Sequence, residues 1–88
     1  MRDLATVVQG ALGDGETPAS AAEALGDARD AWTTGNAELA DGDLSRAALR
    51  RMEARSEAGD GPLEVLAELD REVASLERAA ARGGCSAC

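Results

Sequence analysis

Leu63-Glu64-Val65-Leu66-Ala67-Glu68-Leu69-Asp70-Arg71-Glu72-Val73-Ala74-Ser75-Leu76-Glu77-Arg78-Ala79-Ala80-Ala81-Arg82 is the stretch that decides the fold. Leu66, Leu69, Val73, Leu76 and Ala80 recur at alternating steps of three and four, which puts them on one stripe of an α-helix. That is the seam of a short coiled coil or of one helix in an antiparallel bundle. Glu68 and Arg71, three apart, would support the outer face by about 0.2–0.5 kcal/mol. Arg78 and Arg82 suit the negative end of the helix dipole, and Gly83-Gly84 supplies a stop.

Upstream, Gly59-Asp60-Gly61-Pro62 breaks the chain, and a second helix is expected over residues 44–58, with Gly42 ending the segment before it and Asp43 as N-cap. Leu44, Ala48 and Met52 form its inward face, with Ala47 and Leu49 at the edge. Arg46, Arg50, Arg51 and Arg55 look outward as a basic ridge. Such a ridge is either a solvated helix face or a receiver for an acidic partner, including the chain's own acidic N-terminal half.

Further back, Ala21, Leu25, Ala28, Trp32, Gly35 and Leu39 are spaced four, three, four, three and four apart, predicting a helix of about five turns. A rival reading stops it at Thr34, with Gly35 as a left-handed cap and Asn36 opening a short new segment. The continuous helix is preferred because Gly35 falls on the apolar stripe, where a missing side chain admits another helix. Gly26 and Gly35 each weaken the helix by roughly 1 kcal/mol relative to alanine. Pro18 suits a first turn, and Ser20-Ala21-Ala22-Glu23 offers a capping box. A brief helix presenting Leu4, Val7, Val8 and Leu12 is expected over residues 3–12. Trp32 is expected as a core anchor; left uncovered, it would mark a partner groove.

Composition agrees with helices throughout. The 88 residues include ten leucines, four valines, two methionines and one tryptophan, with no Ile, Phe or Tyr, so strand formers are scarce. The expectation is an all-α bundle of three to four helices over residues 1–82, followed by a flexible tail over residues 83–88. At this size a single core only just outweighs the entropy of folding, so partners would help it.

Seventeen acids against nine arginines leave a net charge of −8, which argues against nucleic acid as a ligand. The first 43 residues hold nine of the acids and only Arg2 and Arg29. The opening apolar run is cut short by Gln9 and Gly10, and no segment has the length to span a bilayer. A cytoplasmic protein is expected, in which Cys85 and Cys88 are thiols, metal ligands or modification sites rather than a staple.

Gly35, Gly42, Ala47 and Ala54, with the Gly42-Asp43 turn between them, resemble one tetratricopeptide repeat over about 30 residues. In that family a small residue in the first helix, a Gly-Asp turn and two alanines in the second let a helix pair pack closely. Trp32 sits one place from the family's usual tryptophan, the aromatic positions are empty and no second copy of the period appears. The resemblance implies protein or peptide binding and carries over no catalytic residue.

The tail Gly83-Gly84-Cys85-Ser86-Ala87-Cys88 admits several chemistries. A helix C-terminus disfavours thiolate, so a strong redox catalyst is not expected at Cys85 and Cys88, although an exposed pair could exchange electrons or form a disulfide with a partner. Zinc wants four ligands and the chain has no histidine, so Cys85 and Cys88 would complete a site only beside a second copy, while one tail offers two-coordinate Cu(I) binding. The homodimer this requires would form through the Leu66-Leu69-Val73-Leu76 seam. The tail also resembles the ends of precursors of ribosomally made, modified peptides, in which a helical leader ends in two glycines before a Cys- and Ser-rich core.

The chain lacks His, Lys and Tyr, and its carboxylates lie on polar helix faces, so no enzyme constellation is visible. The leading expectation is an interaction or accessory module. Its candidate contacts are Trp32, Arg46, Arg50, Arg51 and Arg55, and its one chemical handle is the Cys85/Cys88 thiol pair. A modified-peptide precursor is the alternative.

Overall fold

A computed structural model describes residues 4–84, and it contains four α-helices with one short 3₁₀ turn and no strand among those residues. The expected all-α bundle is therefore the architecture. Helix α1 spans Leu4–Gly13, α2 Pro18–Thr34, α3 Asp43–Glu57 and α4 Pro62–Gly84, with the 3₁₀ turn at Ala37–Leu39. Helix α1 presents Leu4 and Val8 fully to the core and Val7 and Leu12 partly.

Helix α2 begins one turn earlier than its expected capping box. Thr17 is the N-cap: its hydroxyl accepts the Ser20 amide at 3.1 Å, and the Ser20 hydroxyl accepts the Thr17 amide at 3.0 Å. Pro18 fixes this choice, because a proline at the first helical position makes its predecessor the cap. Ser20 and Glu23 thus do not form the box; the Ser20 hydroxyl also points to the Glu16 carboxylate at 3.4 Å.

The continuous helix through Gly35 does not form. Helix α2 ends at Thr34, Gly35 takes the left-handed conformation at φ 75°, and Asn36 caps the 3₁₀ turn by accepting the Glu38 amide at 3.1 Å. Two features outweigh the stripe that Gly35 continues. Only glycine enters the left-handed region without a Cβ penalty. Thr33 and Thr34 meanwhile bend their hydroxyls back to the Arg29 and Asp30 carbonyls at 2.7 and 2.6 Å. Leu39 consequently leaves the stripe and is 43% exposed.

Gly42 also takes the N-cap role expected of Asp43. Gly42, at φ 101°, is the N-cap of α3, and Asp43 is its first residue, its carboxylate accepting from Arg46 at 3.0 Å. Leu44, Ala48, Leu49 and Met52 are buried as their spacing predicts, joined by Ser45. Helix α4 includes Gly83 and Gly84, two residues beyond the expected end at Arg82, and Gly84 is its last described residue.

Helix α2 is the hub of the bundle. It packs on α4 along one flank and on α3 along the other, while α1 touches all three of its neighbours. Ala21, Leu25 and Ala28 lie at the centre with Met52, Val65 and Leu69. In α4 the buried positions are Val65, Leu69 and Leu76, with Leu66 and Val73 only partly covered. The Leu66-Leu69-Val73-Leu76 seam is thus largely occupied within one chain, since Leu69 and Leu76 face the protein's own core.

Candidate site: an open groove between α2 and α4

Helices α2 and α4 run antiparallel, and an ion pair marks their register: Arg29 Nη1 lies 3.3 Å from Asp70 Oδ1, both side chains half exposed. One turn away from that pair, the two helices leave an open groove of about 520 Å³. Its floor is Ala19, Ala22 and Gly26 from α2 with Val73 and Ala80 from α4. Glu23 and Glu77 stand on its rims, exposed, and neither pairs with a cation among the described residues. On α4, Arg71, Arg78 and Arg82 are exposed and, by helix periodicity, lie away from α2.

Gly26 has an ordinary helical backbone, and a Cβ added to it would meet no atom within 4 Å. No neighbour among the described residues therefore needs glycine there. The residue costs helix stability and leaves the groove floor bare at the end nearest the Arg29–Asp70 pair. Helix periodicity puts Ala19, Ala22 and Gly26 on the flank of α2 opposite the one that meets α3.

The four arginines expected as a ridge divide into two pairs. Arg46 and Arg50 are exposed, and Arg46 is held by Asp43. Arg51 and Arg55 turn toward the bundle instead. Arg55 Nε donates to Asp60 Oδ2 at 2.7 Å and its Nη1 donates to Glu68, so one guanidinium joins the end of α3, the turn and the first part of α4. The hydrogen bonds that Arg55 donates, first to Asp60 and then to Glu68, raise its pKa above the ordinary value. Glu68 is consequently committed to Arg55, not to the expected Arg71. Arg51 has its Nε and Nη1 atoms shielded from solvent without a hydrogen-bond partner. A ridge of four free cations is thus absent; periodicity reports the angle around a helix and not the reach of a long side chain that can fold back.

Trp32 is partly buried against the core and lines a small recess with Ala31, Gly35 and Leu49. It behaves mainly as a packing residue with one edge in solvent. Cys85 and Cys88 lie outside the described residues. Among the described residues no three His, Cys, Asp or Glu side chains gather in a group able to hold a metal ion. No helix among them is long and apolar enough to cross a membrane.

The groove escapes sequence reasoning, although its signal is present. Ala19, Ala22 and Gly26 are small residues at steps of three and four, running beside the apolar stripe of α2. On sequence Gly26 counts only as a helix weakness, because its empty surroundings emerge only in three dimensions. No family model, no curated protein and no solved structure matches this chain.

Proposed function

We propose that this protein is a small acidic helical interaction module that engages another protein along the α2–α4 groove. The observation that supports this reading is the groove itself: a largely apolar floor of small residues left open between α2 and α4. Apolar clefts flanked by polar groups are where helices of partner proteins dock. The reading places no demand on Cys85 and Cys88.

A photo-reactive benzophenone amino acid in place of Ala19, introduced in the organism the protein comes from, tests it. Discrete adducts with another polypeptide are expected at that position and not from the same group in place of Glu57, on the outer face of α3. Absence of adducts at Ala19, or equal adducts at both positions, contradicts the reading. Intact mass of the native protein provides a second check, because ring linkages or loss of water within residues 85–88 would indicate a modified-peptide precursor.

A further inference from the structure

We infer that the occupant of the α2–α4 groove is a basic amphipathic helix of a partner protein, one that presents a narrow apolar stripe flanked by arginine or lysine. The inference rests on the interaction reading above and specifies its partner. Shape supplies the first argument. Ala19, Ala22 and Gly26 recur at the steps by which ridges of one helix fit grooves of another, and Val73 and Ala80 complete a trough between two antiparallel helices. The bare Cβ position at Gly26, with nothing within 4 Å, lets an incoming backbone come closer than any other residue would allow. A helix satisfies its own main-chain hydrogen bonds, so it can lie on this floor, which offers few polar groups of its own.

Charge supplies the second. Glu23 and Glu77 flank the trough from opposite helices, and neither has an ion-pair partner among the described residues. The cation nearest in register, Arg29, is engaged by Asp70, and the arginines of α4 lie on its far side. With a net charge of −8, the whole chain adds a field that draws cations and repels acidic segments. A second copy of this chain is thereby disfavoured as occupant. Its most basic helix, α3, carries Asp43, Glu53 and Glu57 on the same outer face as Arg46 and Arg50.

The test uses the full-length protein and a fluorescein-labelled, alanine- and leucine-rich helical peptide with arginines on both sides of its apolar stripe. A scrambled peptide of identical composition is the control, and binding is read by anisotropy. Saturable binding of the patterned peptide is expected, with the scrambled one at least tenfold weaker. Gly26→Leu fills the trough and should reduce affinity at least tenfold, while circular dichroism verifies that the variant stays helical. The double variant E23Q/E77Q, which touches only exposed groups, should weaken binding about fivefold and flatten its salt dependence, as expected for two exposed charge contacts.

Equal binding of both peptides, or undiminished binding by folded Gly26→Leu, overturns the inference, because the peptide would then be responding to overall charge. No saturable binding of the patterned peptide also overturns it. If adducts nevertheless form at position 19 in the native organism, the partner's chemistry is wrong and the interaction reading stands. If they do not, both fall.

Discussion

The Ser45 hydroxyl donates to the main-chain carbonyl of Ala24 at 2.8 Å, joining α3 to α2 at a point where Ser45 itself is 0% exposed. This polar contact inside a largely apolar contact zone fixes how far α3 slides along α2. It is consequential for the groove as well, because α2 is held on the α3 side while its opposite flank stays open.

Ser45→Ala removes the donor without adding bulk and should cost about 1 kcal/mol. Ser45→Val adds volume where none is available and should cost more, about 1–3 kcal/mol. Urea denaturation followed by helical ellipticity measures both. Equal stability of all three proteins would show that the contact does not organise the α2–α3 pair.

Gly26 and Gly35 should respond in opposite directions to the same substitution. Gly26→Ala adds a methyl group into open space on a helical backbone, so it should stabilise by about 0.5–1 kcal/mol. Gly35→Ala forces a Cβ into the left-handed region at φ 75° and should destabilise by about 1 kcal/mol. Thermal unfolding midpoints of the two variants check this, and a shared sign would contradict the account of where α2 ends.

Arg55 holds Asp60 and Glu68 together across the α3–α4 turn, with its side chain 20% exposed. Arg55→Met keeps much of the stem's packing and removes the charge, so its cost should be modest, about 1 kcal/mol, and should shrink as salt is added. Arg55→Met combined with Glu68→Gln should cost less than the sum of the two single changes, since each removes the same interaction. Additive costs would mean that the ion pair has no coupling energy. The raised Arg55 pKa makes its contribution one that is complete below the unfolded value and lost only as pH climbs through the folded one. Its loss therefore lies in strong alkali and leaves no signature near neutrality.

Leu25 and Trp32 separate core from margin. Leu25 is fully buried at the centre, so Leu25→Ala should cost about 2–5 kcal/mol. Trp32 keeps one edge in solvent, and its fluorescence should be quenched in part by acrylamide in the native state. Full protection, or quenching equal to that of the unfolded chain, would misplace it.

Much of the fold is legible in the residue pattern alone. The steps of three and four in residues 21–32, 44–52 and 66–80 locate three helices, and Pro18, Gly42 and Pro62 mark breaks between them within a residue or two. Periodicity gives the angle of the α4 core face only approximately: Val65, one position from Leu66, is the more buried of the two. Gly35 satisfies two rules at once, continuing the stripe and capping the helix, and the cap wins where Asn36 beside it can open the next turn. Angle alone turns the arginines of α3 outward, yet Arg55 reaches back to acids that are distant in sequence or lie in a turn. The groove stays hidden because it consists of what is missing, side chains at Ala19, Ala22 and Gly26, and absence of bulk becomes meaningful only once the neighbours' positions are known.

Amide chemical-shift mapping of the isotopically labelled protein, titrated with the patterned arginine peptide, bears most directly on the proposed groove. The largest changes should centre on Ala19, Ala22, Gly26, Val73 and Ala80, with Ser45 and its surroundings unmoved. Changes centred on Arg46 and Arg50, or spread evenly over the acidic surface, would contradict it.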